Sequence, residues 1–192
     1  MSEKQVMNPY LPNWEYVPDG EPYCFGDRVY VYGSHDFFGG TVYCPGDYVC
    51  WSAPKDSLGD WRYEGVIYRA DQDPQYGNPP HVYSQSLNRN SLSTDKATAP
   101  QKVDTSDSKA AILKYMYAPD VVCGNDGRYY LYYSMGGDYG YGGYVGPISV
   151  AVADTPVGPF EFLGFVRNAD GTPMERYVCF DPAVLNDDGV IY

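Results

Sequence analysis

Apolar and polar positions alternate with a period of two along several short stretches of this chain. In DRVYVYGS, Asp27 to Ser34, Val29 and Val31 fall on one side and Tyr30 and Tyr32 on the other, the spacing of a strand rather than a helix. About one hundred positions later, GRYYLYYS from Gly127 repeats the plan, with Arg28 over Arg128, Tyr30 over Tyr130 and Tyr32 over Tyr132. The match continues in WSAPKDSLGDWRYEG, ending at Gly65, and VAVADTPVGPFEFLG, ending at Gly164, where Gly59 meets Gly158 and Trp61 meets Phe160. The closing CFDPAVLNDDGVIY, Cys179 to Tyr192, reads as a strand, a tight Asp-Asp-Gly turn and the start of another strand; a shift of about sixty sets Gly189 on Gly127 and Tyr192 on Tyr130.

Repeated strand-turn-strand units predict an all-β chain built as a β-propeller, in which four-stranded blades surround an axial channel. Unit one is placed at about 15–69 with an insertion over 70–113, unit two at about 114–175, and the start of unit three at 176–192, so the chain is expected to cover two blades and the opening of a third. A short β-sandwich is the structural alternative. The insertion, with NRNSLSTDKATAPQKVDTSDSK, has little hydrophobic periodicity and is expected to be partly exposed. GGDYGYGGYVGP, Gly136 to Pro147, is read either as a flexible connection or as an aromatic loop over a sugar site.

Composition agrees with this pattern: 22 Tyr, 21 Gly and 16 Pro with 20% charged residues suit strands and turns, and 44% hydrophobic content suffices for a core. The net charge of −12 argues against a nucleic-acid partner, which needs basic patches. The opening MSEKQVMNPYLPNWEY lacks a basic segment followed by an apolar run, and no apolar stretch approaches the roughly 20 residues that cross a bilayer. A soluble, cytoplasmic protein without membrane contact is therefore expected. Five cysteines, Cys24, Cys44, Cys50, Cys123 and Cys179, show neither CxxC spacing nor a Cys/His cluster and are expected to be buried free thiols.

In repeat register, Asp19 of PDGEP, Pro119 of APDVV and Asp181 of FDPAV share one phase, with Asp120 one step on. Each precedes the first, innermost strand of its unit, from which side chains can point into the axial funnel. Two carboxylates lining one polar funnel suit glycoside hydrolysis, in which one group activates water while another protonates the leaving oxygen. An Asp before Gly or Pro is otherwise a turn residue. Asp126-Gly127 and Asp187-Asp188-Gly189 are read as hairpin turns.

Together NPYLPNWEYVPDGEPYCFGDRVYVYGSHD, WSAPKDSLGDWRYEG, YAPDVVCGNDGRYYLYY, VADTPVGPFEFLG and FDPAVLNDDGVIY resemble the N-terminal portion of glycoside hydrolase family 43, five-bladed propeller enzymes acting on xylose- and arabinose-containing glycans. The resemblance implies an inverting hydrolase of the β-xylosidase or α-L-arabinofuranosidase type. In it, Asp19 matches the general base and Asp181 the aspartate that raises the acid's pKa and orients it. The family's general acid is a fourth-blade glutamate that these residues do not contain, so the 192 residues alone are expected to be inactive and to need the remaining blades. Glu15, Glu21, Glu64, Glu161 and Glu175 match no acid motif. His35 and Asp36 of the SHD stretch, Tyr117 where the family usually has Trp, Asp120 and Phe180 form the expected substrate-binding set, with an oligo- or polysaccharide as partner. Trp51 and Trp61 are read as strand residues of the core. No redox or nucleotide cofactor is implied. A structural calcium ion is compatible with the family, although these residues assign it no ligand cluster. A carbohydrate-binding propeller without catalysis is the alternative.

Overall fold

The computed structural model describes residues 9–77, 113–137, 147–172, 174 and 180–192. The first four-stranded sheet runs β1 (Glu21–Phe25), β2 (Arg28–Gly33), β3 (Tyr48–Pro54) and β4 (Arg62–Tyr68), each antiparallel to the next. The second repeats that order with β5 (Leu113–Cys123), β6 (Tyr129–Gly137), β7 (Ser149–Ala153) and β8 (Glu161–Phe165). A short hairpin follows, β9 (Asn186–Asp187) with β10 (Val190–Ile191), extended by reciprocal bonds between Leu185 and Tyr192. These are two propeller blades and the opening hairpin of a third. The described residues contain no α-helix, only one 3₁₀ turn at Ala70–Gln72.

The turns follow from residues that accept a left-handed backbone. Asp188 and Gly189 have φ of 48° and 92°, the pair of positive values that a two-residue hairpin requires. In the β5–β6 turn, Asp126 Oδ1 accepts the Arg128 N–H at 3.1 Å and Gly127 has φ of 78°. Of the four cysteines among the described residues, Cys44 and Cys50 are buried as expected, whereas Cys24 on β1 is exposed. Cys179 lies outside the described residues, as do positions 138–146 of the Gly/Tyr loop and positions 78–112 of the insertion. Trp51 is a core residue of β3 at 4% exposure; Trp61 lies just ahead of β4 and packs on Tyr10 at 5.0 Å rather than forming part of the strand.

The core lies where the two sheets meet. Its largest fully buried side chains include Tyr32, Tyr48, Tyr68, Tyr133 and Phe160. Fully burying an apolar ring of this kind contributes roughly 1.5–3 kcal/mol, but each buried phenol also needs a hydrogen-bond partner. The partners cross between blades: the Tyr32 hydroxyl donates to Pro156 O at 2.6 Å and the Tyr48 hydroxyl to Tyr117 O at 2.8 Å. The Phe160 N–H completes the joint on Ile67 O at 2.9 Å.

Residues 70–77, at the head of the expected insertion, are built into this core. Asp73 and Gln75 are 2% and 3% exposed. The Tyr133 hydroxyl lies 2.6 Å from Asp73 Oδ2 and 2.8 Å from the Tyr68 hydroxyl, so its single proton goes to the carboxylate. Asp73 Oδ1 accepts the Gln75 N–H at 2.7 Å. Where the chain leaves the core, the Gly77 N–H donates to Leu113 O at 2.8 Å, so both ends of the 78–112 stretch meet at one hydrogen bond.

Tyr133→Phe keeps the ring but leaves Asp73 Oδ2 without its donor. Loss of a partner from a buried carboxylate predicts a destabilisation of about 1–3 kcal/mol, read as a lower denaturant midpoint of the complete protein. An unchanged midpoint would show that the hydroxyl does not hold Asp73.

Candidate active site

Five residues before a defined ladder position of each inner strand stands a residue with left-handed backbone. Asp19 (φ 55°) comes five before Cys24, which pairs with Val29. Ala118 (φ 30°) comes five before Cys123, which pairs with Tyr129, and Asp181 (φ 47°) five before Asn186, which pairs with Ile191. Ala118, not Pro119, therefore shares the phase of the two aspartates. The register shift in β5 between Tyr117 and Asp120 accounts for the one-residue offset from the sequence expectation.

The Asp19 segment is pressed onto the end of β2. A Cβ on Gly33 would lie 2.4 Å from Val17 Cγ1 and 2.8 Å from Pro18 O, so only glycine lets residues 17–20 approach this closely. The Asp36 N–H fixes the same segment by donating to Tyr16 O at 3.0 Å. Asp19 and Asp181 are both solvent-exposed. Partial burial raises the Asp181 carboxyl above its ordinary pKa, and the negative charge of Asp19 raises it further. The carboxylate that opens blade one thus acts on the one that opens blade three. Behind them lies Cys44, 3% exposed. Burial pushes its thiol up to about 11; the Ser34 hydroxyl bond opposes this, while the charges of Asp36, Asp19 and Asp181 add to it.

The remaining expected residues divide into two groups. His35 Nε2–H donates to Glu15 Oε1 at 2.8 Å, and the Trp51 Nε1–H donates to Glu15 Oε2 at 3.0 Å. The Glu15 side chain is only 4% exposed, so it fixes His35 from beneath. Asp36 Oδ1 accepts the Cys44 N–H at 2.6 Å, shaping the loop after β2. His35 and Asp36 line a cleft of about 340 Å³ with Trp14, Tyr16, Phe37 and Phe38. Such aromatic faces suit the C–H faces of a sugar. The Tyr117 and Phe180 rings touch at 5.6 Å, inclined at 51°. Tyr117 passes so close to Gly136 that a Cβ there would lie 1.8 Å from its ring.

Asp120 departs from the expected substrate-binding set. It is 2% exposed. Its Oδ1 accepts the Val121 N–H at 2.8 Å, its Oδ2 accepts the Val184 N–H at 2.7 Å, and Tyr23 donates a further bond. Burial raises its pKa and these three bonds oppose the rise. Asp120 is thus a joint between the three units rather than part of the funnel wall, because the bulge at Tyr117–Asp120 turns its side chain inward. Glu15 and Gly33 were not singled out as site residues by sequence, whereas Ser34 was read with His35 and Asp36 as part of the SHD stretch. The signal for Ser34 was present, since Ser34 and Ser134 end the two matching strand motifs.

The described glutamates are placed by their partners and strands. Glu15 is engaged with His35 and Trp51, Glu64 is held by Ser52 and Arg62, Glu21 and Glu161 lie on strands, and Glu175 is outside the described residues. Among the described residues, no group of three or more His, Cys, Asp or Glu could hold a metal ion.

No family model matches the chain. A xylosidase/arabinosidase of Thermoclostridium stercorarium is 48% identical over 188 residues, covering 96% of this chain and 31% of that protein. Xylosidase/arabinosidase 43A of Humicola insolens is 29% identical over 97% of this chain and 45% of its own length. Among solved structures, a GH43 β-xylosidase/α-arabinofuranosidase from a compost microbial metagenome, in complex with xylotriose and calcium-free, matches 97% of this chain and 44% of its own with a TM-score of 0.58 at 24% identity. That last likeness speaks for the fold. The chain spans between about a third and a half of the length of these relatives. Over nearly its whole length the chain is thus similar to the N-terminal portion of xylosidase/arabinosidases, and its fold is that of the opening blades of the GH43 five-bladed β-propellers.

Proposed function

We propose that the protein containing this chain is an inverting glycoside hydrolase that releases xylosyl or arabinosyl units from oligo- or polysaccharides, with Asp19 as general base and Asp181 as the residue that tunes and orients the general acid. The observation that carries this reading is that the charge of Asp19 reaches the Asp181 carboxyl, the two being solvent-exposed carboxylates at the heads of blades one and three. The names of the relatives supply the substrate class.

In this reading Asp19, ionised, takes a proton from the water that attacks the anomeric carbon. The leaving oxygen receives its proton from a glutamate outside these 192 residues, held about 6.5–9.5 Å from the base to leave room for the water. Asp181 carries negative charge toward that glutamate, disfavours its ionisation and keeps it protonated at the pH where Asp19 is charged. His35, steadied by Glu15, and the Tyr117–Phe180 pair contact the sugar. The 192 residues alone, without the proton donor, are inactive in this scheme.

Two outcomes test it in the complete protein. Asp19→Asn lowers turnover of aryl β-xyloside or aryl α-L-arabinofuranoside by at least about 10²–10⁴-fold, the usual worth of a general base; undiminished turnover removes the base assignment. In the same variant the Asp181 carboxyl, followed by ¹³C chemical shift, titrates at lower pH because one of the two causes of its raised pKa is gone. An unmoved titration would mean that the two carboxylates do not share a field.

A further inference from the structure

The joint between blades one and two contains a grip that is half absent from the next joint. The peptide unit linking Tyr117 to Ala118 is held by blade one at both ends: the Tyr48 hydroxyl donates to its carbonyl at 2.8 Å, and its N–H donates to Ser34 Oγ at 2.9 Å. Ala118 is the left-handed residue of its blade. One unit later, the matching peptide links Phe180 to Asp181. The ladder pairs Gly33 with Val49 and Tyr133 with Ser149, so Ile148 occupies the place of Tyr48 and Ser134 that of Ser34. Isoleucine has no hydroxyl to give. Ser134 has one; it is 1% exposed, and among the described residues its Oγ has no hydrogen-bond partner.

A buried hydroxyl without a partner is costly, and native structures rarely keep one without a use. Asp181 needs what it offers, because a left-handed aspartate holds its conformation only when its surroundings fix it. The geometry points to Ser134 as the positioning residue of Asp181: in the closed propeller Ser134 Oγ accepts the Asp181 N–H, as Ser34 Oγ accepts that of Ala118, and so aims the Asp181 carboxylate. This inference rests on the role proposed above for Asp181. Ser134 touches no substrate; it acts through the backbone of the residue that does the tuning.

The test uses the complete enzyme, with the pH dependence of kcat and KM on an aryl xyloside or arabinofuranoside measured for wild type, Ser134→Ala, Ser134→Thr and Asp181→Ala. A misaimed Asp181 no longer holds up the pKa of the general acid, so Ser134→Ala moves the alkaline limb of the profile to lower pH and lowers kcat by about ten- to a hundred-fold, with KM little changed. Ser134→Thr, which keeps the oxygen, restores both. In the wild type, hydrogen exchange resolved to the Asp181 amide is slow. A Ser134→Ala profile that overlays wild type, or a fast-exchanging Asp181 amide whether or not the variants fold, overturns the inference. Asp181→Ala with an unshifted profile overturns the reading beneath it as well; a shift in Asp181→Ala but none in Ser134→Ala removes Ser134 alone.

Discussion

The site depends on one backbone constraint, the left-handed residue five positions before a fixed ladder pair of each inner strand. Asp19, Ala118 and Asp181 adopt a conformation that costs an ordinary residue roughly 1–3 kcal/mol and that persists only where packing and hydrogen bonds leave no alternative. Two of these reversals are fixed by named contacts: residues 17–20 by Gly33, and Ala118 by Ser34 and Tyr48 of the blade before it. The middle reversal is thereby placed by the joint between blades, the first by its own blade.

Those joints are polar in an otherwise aromatic core. Tyr32, Tyr48 and Tyr133 place their rings between the sheets and their hydroxyls on Pro156 O, Tyr117 O and Asp73. Ring burial supplies the attraction, while the directed bonds select one register among the sliding alternatives that greasy surfaces permit. Asp120 does the same with three bonds reaching all three units. The field around Cys44 and Asp181 follows from this placement, because burial and neighbouring negative charge act on both groups in the same direction.

Much of this was legible in the residues. The period-two alternation at 29–32 and the match between DRVYVYGS and GRYYLYYS marked the strands, and Asp-Gly pairs marked the turns. Asp19 and Asp181 were legible because they recur in one phase. Asp120 was not, since a bulge shifts phase without changing composition, and the true counterpart, Ala118, carries no chemistry to draw the eye. Glu15 was hidden for a different reason: its partners His35 and Trp51 lie 20 and 36 positions away, and only the fold brings them together. Asp73 and Gln75 sit in polar surroundings that read as exposed, yet a tyrosine hydroxyl sixty residues on made their burial affordable.

The single bond between Gly77 and Leu113 has an evolutionary reach. It ties off the stretch between them like the neck of a bag, and the entropy of closing a loop grows only slowly with its length. Whatever is inserted, deleted or rewritten inside that neck transmits little strain to either sheet. The two sheets can thus stay as they are while the sequence between residues 77 and 113 varies in length.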